Sequence, residues 1–187
     1  MSEEGKLVVI SGPSGAGKST IASEVRKRTG ADFSVSATTR PARQGEIDGR
    51  EYHFVDRTAF EKMIEAGELL EWAEVFGQLY GTPARPVREA ISAGRTIVLD
   101  LDVQGGNQVY RKMPSATFVL IVPPVDGELA RRLRRRATES PGDIANRLAQ
   151  AKSEIAAATE SGLYEHVVIN DDLDEAVSQV VEIITGQ

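Results

Sequence analysis

Residues 8–25 read VVISGPSGAGKSTIASEV: an apolar run, a loop with three glycines, then Lys-Ser-Thr opening a helical pattern. The run LVVIS (7–11) is continuous and rich in β-branched residues, as a strand buried on both faces requires. KSTIASEVRKRTG reads as a helix, with Gly30 placed as its stop. Between strand and helix, Gly12-Pro13-Ser14-Gly15-Ala16-Gly17-Lys18-Ser19 fits G-x-x-x-x-G-K-[ST]. Glycines let successive backbone N–H groups curl around an anionic oxygen, and the following helix turns its positive end to the same spot. In such a loop Lys18 reaches the β- and γ-phosphates of a nucleotide and the Ser19 hydroxyl faces Mg²⁺. A glycine-rich turn with a solvated lysine would not demand a strand before it and a helix after it. Gly12 to Ser19, with Thr20 beside them, are therefore the expected nucleotide-phosphate site.

Outward from the loop, the alternation continues. TIVLDL (96–101), TFVLIV (117–122) and HVVIN (166–170) are short apolar runs, separated by helical patterns at 103–112, 126–136, 141–160 and 172–185. Strand alternating with helix predicts an α/β fold: a parallel sheet flanked by helices on both faces. From about 33 to 78 the rhythm breaks. FSVSA, EYHFV and LLEWAEVF are strand-like, RPARQGEIDGR is rich in turn residues, and TAFEKMIEAG is a short helix with a Thr58-x-x-Glu61 capping box and Gly67 as its stop. This clustering predicts a small mixed α/β subdomain inserted after the first βα unit.

Composition narrows the function. The 187 residues suffice for one domain with inserted subdomains. The chain has no cysteine, which excludes disulfides and thiolate metal sites; its two histidines, His53 and His166, make no histidine-rich centre and are expected to be structural. A net charge of −6 argues against a protein that coats nucleic acid. The acidic start MSEEGK, followed by a short apolar run, forms neither a signal peptide nor a membrane span, so a cytoplasmic protein is expected.

Five segments follow one another in order: ISGPSGAGKST, SVSATTRPARQGEIDGREYHF, GELLEWAEVFGQLYGTP, LDLDVQG and VINDDLD. With them the chain resembles the guanylate kinase family over nearly its whole length. That family transfers the γ-phosphoryl group of ATP to GMP. The resemblance implies a phosphate-loop core (about 1–32, 83–124 and 148–187), a GMP-binding insertion (about 33–82) and a helical lid (about 125–147). Its expected small-molecule partners are ATP, with Mg²⁺, and GMP or dGMP. No nucleic-acid or membrane partner is expected, and a homo-oligomer is compatible with it.

Residue chemistry fits this assignment. Guanine offers N1–H and the N2 amino group as donors and O6 and N7 as acceptors; a carboxylate matches the two donors, and a hydroxyl can supply a proton to O6. By resemblance, Glu71 holds N1–H and N2, Asp102 assists at N2, and Ser36 and Thr82 approach O6. An acid within LLEWAEV is costly unless it has a partner, although its alternation with Trp72 also permits a solvent-facing place on an edge strand. Arg40 and Arg43 present planar forks that fit phosphate oxygens. Tyr52 and Tyr80 match the family's phosphate-binding tyrosines, while Phe54, on the strand face of Tyr52, is expected in the core. Asp100 ends a strand, the usual place for an active-site carboxylate in open parallel sheets. By resemblance it orients Mg²⁺ through water or positions Lys18 and the GMP phosphate, and Asn170 is a candidate adenine contact.

LARRLRRRATES packs five arginines into 131–136. Alone, the run suggests a nucleic-acid patch or a solvated helix face. The resemblance instead sets Arg132 and Arg136 over the ATP phosphates, joined by Arg147, and places them with Lys18, Arg40 and Asp100 in the catalytic group. The chain departs from the family pattern at Arg135-Arg136-Ala137, where Gly-Arg-Gly is usual, at Leu79, where an aromatic is common, and at Pro83 and Pro86. A related ribose-bisphosphate kinase would not need the guanine-reading Glu71, Ser36 and Thr82. Phosphopeptide-binding scaffold modules of this kind tend to lose the loop lysine and lid arginines, which are present here.

Overall fold

The computed structural model describes residues 5–124 and 141–186, the side chains of 141–144 and 147 excepted. Along the chain run β1 (Leu7–Ser11), α1 (Lys18–Thr29), β2 (Asp32–Phe33), β3 (Ala37–Thr38), β4 (His53–Phe54), α2 (Arg57–Glu65), β5 (Leu69–Val75), β6 (Gln78–Pro83), α3 (Ala84–Ser92), β7 (Ile97–Asp100), α4 (Val103–Lys112), β8 (Thr117–Val122), α5 (Pro141–Glu160), β9 (His166–Ile169) and α6 (Leu173–Thr185). The helix expected at 126–136 lies outside the described residues. None of the described helices is long and apolar enough to cross a membrane.

Two sheets result. The larger is parallel, in the order β2-β7-β1-β8-β9. β1 is buried throughout because strands flank it on both edges and helices cover both faces. Its side chains alternate. Leu7 and Val9 join Ile97, Leu99, Phe118 and Leu120 under α3 and α4. Val8 and Ile10 join Val98, Val119 and Ile121 against α1 and α6. Each such side chain, fully buried, contributes about 1.5–3 kcal/mol. β9 is the exception to the expectation of strands buried on both faces: it is one edge of the sheet, and Val167 and Ile169 stay half exposed.

The smaller sheet is mixed, in the order β4-β3-β6-β5. Its rear face packs Ala37, Leu69 and Leu79 on Phe60 of α2, so Leu79 belongs to this satellite core and not to a binding surface. FSVSA is not one strand. Phe33 pairs with β7 in the parallel sheet and Ala37 pairs with β4 and β6 in the mixed one, so the chain passes between the sheets at 34–36. The Thr58-x-x-Glu61 box is also replaced. Asp56 caps α2, its carboxylate accepting the Ala59 N–H at 2.7 Å, because the helix starts two residues earlier, where an acid also meets the positive helix end. Glu61 pairs with Arg57 instead. β6 and α3 were not expected. Pro83 is the N-cap of α3, and Pro86 falls in its first turn, where a missing N–H costs nothing.

Candidate active site

The phosphate loop leaves the C-terminal end of β1, where three of its glycines adopt positive φ: Gly12 at 148°, Gly15 at 86° and Gly17 at 92°. At Gly12 a Cβ would lie 2.1 Å from the Ile121 carbonyl oxygen, and at Gly17 it would lie 2.3 Å from Asn170 Nδ2. No other residue fits either place. Lys18 Nζ donates to the loop's own carbonyls, Gly12 O at 2.7 Å and Pro13 O at 3.0 Å. Ser19 Oγ donates to Asp100 Oδ2 at 2.5 Å, so the end of β7 and the start of α1 meet. Burial pushes the Asp100 carboxyl up, opposed by the Ser19 hydrogen bond and the Lys18 charge. Asn170 is buried on the loop after β9, and its amide donates to the Ala16 carbonyl at 2.7 Å. It braces the phosphate loop from behind, a role that the expectation of an adenine contact did not contain.

About the mixed sheet a second polar group assembles. Glu71 is only 7% exposed and Thr82 1%. They face each other across β5 and β6, and Thr82 Oγ1 donates to Glu71 Oε1 at 2.6 Å. In this structure the Thr82 proton expected at O6 is spent on aligning the carboxylate. Burial raises the Glu71 pKa, the Thr82 hydrogen bond opposes it, and the negative charge of Asp102 adds to the rise. The solvent-facing alternative for Glu71 fails because α4 lies against β5. Lys112 Nζ donates to the Leu69 carbonyl at 2.7 Å, and the Gln108 side chain accepts the Trp72 N–H at 3.1 Å and donates to the Trp72 carbonyl at 2.9 Å. Asp102 is the N-cap of α4, its carboxylate accepting the Gly105 N–H at 2.7 Å. Gly105 gives the Glu71 carboxylate room: a Cβ there would stand 3.4 Å from Glu71 Oε2.

A cationic group stands beside these carboxylates on the same sheet. The Arg40 guanidinium lies 5.5 Å from the Tyr52 ring centre and 5.7 Å from that of Phe54. Tyr52 and Tyr80 meet edge to face at 6.0 Å. Phe54, expected in the core, is half-buried and cushions Arg40 instead. Glu46, which the sequence did not mark, pairs with Arg40 through both oxygens. Ser36 is half-buried, its carbonyl accepting the His53 N–H at 2.9 Å, and Arg43 is exposed on the turn. Arg132 and Arg136 lie outside the described residues; Arg147 is on α5, with its side chain outside the described part.

Comparison with known proteins gives this arrangement its context. The family model described as guanylate kinase matches residues 4–187. Curated relatives named guanylate kinase include that of Nocardia farcinica, 49% identical over 186 residues, which span 98% of this chain and 95% of the relative. That of Carboxydothermus hydrogenoformans is 46% identical over 185 residues, 98% of this chain and 89% of the relative. Among solved structures, guanylate kinase from Anaplasma phagocytophilum matches with a TM-score of 0.74 at 32% identity, over 100% of this chain and 87% of that one. Shikimate kinase from Bacteroides thetaiotaomicron matches at a TM-score of 0.51 and 13% identity, over 96% of this chain and 98% of that one, a likeness of fold alone. The family pattern runs through the phosphate loop and the inserted sheet alike, from residue 4 to the end of the sequence, and so the chain belongs to the guanylate kinase family.

Proposed function

We propose that the family's reaction, ATP-dependent phosphorylation of GMP to GDP, is carried out here where the ends of β1 and β7 face the mixed sheet. In the balanced step, a GMP phosphate oxygen attacks the γ-phosphorus of ATP, the bond from that phosphorus to the β–γ bridging oxygen breaks, and ADP leaves with the electron pair. There is little covalent work for the protein in such a step; it positions the reactants and stabilises charge.

Gly12 to Thr20 hold the ATP phosphates, and Lys18 exchanges its two loop carbonyls for β- and γ-phosphate oxygens. The Ser19–Asp100 pair suits Mg²⁺, a hard ion that takes oxygen donors and keeps several waters. Among the described residues no group of three or more His, Cys, Asp or Glu stands ready to cage a metal, so the phosphates and water would complete its shell. Ser19 and Asp100 would hold Mg²⁺ there, and the ion would supply neutralisation of the negative charge on the phosphates. Glu71 accepts guanine N1–H and N2–H, Thr82 holds that carboxylate in line, Asp102 assists at N2, and Ser36 is left to meet O6. Arg40, Arg43, Tyr52 and Tyr80 take the GMP phosphate. Since these assignments read only base and phosphate, dGMP is a substrate too. By the family resemblance, Arg132, Arg136 and Arg147 would stabilise the charge of the transferring group.

The single observation that supports this most is the buried Glu71 carboxylate held by Thr82, an acceptor pair sited for two adjacent N–H groups. A coupled ADP-release assay across GMP, dGMP, AMP, UMP and ribose bisphosphate tests it. GMP and dGMP are expected to turn over and AMP to fail, because its N1 is an acceptor and it lacks the N2 amine; comparable kcat/KM for AMP and GMP refutes the reading.

A further inference from the structure

The turn from 40 to 46 contains a carboxylate placed where a phosphate-binding surface would be expected to avoid one. Glu46 Oε2 accepts from Arg40 Nη1 at 3.0 Å and Glu46 Oε1 from Arg40 Nη2 at 2.9 Å, a two-bond fork. Both side chains are largely shielded, at 14% and 18% exposure. Glu46 Oε2 also accepts the backbone N–H of Arg43 at 2.7 Å, and the Glu46 N–H donates to the Arg43 carbonyl. One carboxylate thus ties both arginines assigned to the acceptor phosphate. The Arg40 hydrogen bond and the Arg43 amide hold its carboxyl below the usual glutamate range, which favours the ionised form.

An arginine has five N–H donors. Nη1 of Arg40 spends its two on Glu46 and on the Pro41 carbonyl at 2.7 Å, and Nη2 spends one on Glu46. The Nε–H and the second Nη2–H form the opposite edge of the same planar group, a second fork that Glu46 does not touch. A carboxylate holding one fork therefore does not have to leave for a phosphate to take the other. We propose that Glu46 is the positioning residue of the acceptor-phosphate site: it locks the end-on fork of Arg40 and the amide of Arg43, leaving the Nε/Nη2 fork of Arg40 for the GMP phosphate. The locked guanidinium loses little freedom on binding, which offsets the cost of a negative charge near the substrate. This inference rests on the reading that Arg40 binds the GMP phosphate.

The test is equilibrium binding of GMP and of guanosine, with KM for ATP, in wild type, Glu46→Gln, Arg40→Met and the double variant. An amide can accept from only one Arg40 nitrogen and turns a donor toward the other. Glu46→Gln is expected to weaken GMP about tenfold, with guanosine affinity and KM for ATP changed less than about twofold. In the Arg40→Met background, Glu46→Gln should add less than about twofold. Tighter GMP binding by Glu46→Gln would make Glu46 a self-blocking group and overturn the proposal. Equal losses for GMP and guanosine would reduce it to general support of the turn. Unchanged GMP affinity in Glu46→Gln, with Arg40→Met strongly impaired, overturns the role of Glu46 and spares that of Arg40. An Arg40→Met variant with normal GMP affinity overturns the underlying assignment instead.

Discussion

Glu71→Gln changes one oxygen into an NH₂ group at nearly constant volume. Thr82 decides which oxygen that is. Its hydroxyl donates to Oε1 at 2.6 Å within a buried pair, so the glutamine keeps its carbonyl there and turns its amide nitrogen toward the place of Oε2. That nitrogen then opposes a guanine N–H, donor against donor. Losing a charge-assisted acceptor and leaving a buried donor unpaired amounts to about 2–4 kcal/mol of transition-state binding. At 1.4 kcal/mol per tenfold this is a loss of about 30- to 700-fold in kcat/KM for GMP, with KM for ATP little changed. Stability moves the other way. Burial holds the folded-state pKa of Glu71 above its unfolded value, so at neutral pH the folded protein bears a desolvation cost that a neutral amide removes. Above the folded pKa the variant melts at the higher temperature; below the ordinary glutamate value, where wild type is protonated in both states, the difference disappears. Steady-state kinetics at varied GMP and melting curves from acid to neutral pH check both halves. A variant within threefold of wild type in kcat/KM for GMP would refute the placement of guanine at Glu71.

Lys18→Ala should lower kcat by orders of magnitude while GMP affinity stays nearly unchanged, and retention of more than about a tenth of the turnover would refute its contact with the transferred phosphate. Gly17→Ala should raise KM for ATP and lower kcat, because φ of 92° strains any side chain and the new Cβ would displace the Asn170 amide; normal ATP kinetics would show that the loop tolerates both. In wild type, KM for GMP should rise as pH falls through the raised pKa of Glu71, starting above the usual carboxylate range, since the ionised form is the acceptor. That acid limb should be missing in Glu71→Gln, and its persistence there would assign it to another group.

The phosphate loop and parallel sheet were legible because their constraints are local. A positive-φ glycine, a continuous apolar strand and a helix start sit within 18 residues of one another, and each limits what the others can be. The inserted sheet was legible only as a break in rhythm. Strands of two residues such as Ala37–Thr38 carry too little pattern, and QLYGTP, with its glycine and proline, does not read as the strand it forms. Pro83 and Pro86 disguise α3 until they are seen to occupy its cap and first turn. Among site residues, Glu71 was legible as an acid out of place. What partners it was not, because burial comes from Thr82 on the neighbouring strand and from α4, more than thirty residues further along. Glu46, and the contact of Asn170 with the phosphate loop, escaped for the same reason: neither exists until a turn brings 46 to 40, or a distant strand end brings 170 to 16.

The side chains of α4 that lie against β5 have a consequence for the chain during its synthesis. β5 is the outermost strand of its sheet, and a bare outer edge invites strands from other molecules to add to it. Among the described residues no strand covers it. One glutamine amide stands in for a neighbour at Trp72, and one lysine does so at Leu69. Residues 69–83 leave the ribosome before Gln108 and Lys112 do, so the hairpin can pair with itself while its outer rungs are still open. During that interval the charges of Glu74 and Arg57, paired near the far end of the strand, are the nearest deterrent to a foreign strand. The nascent hairpin therefore passes through an interval open to intermolecular pairing, and the emergence of α4 ends that interval.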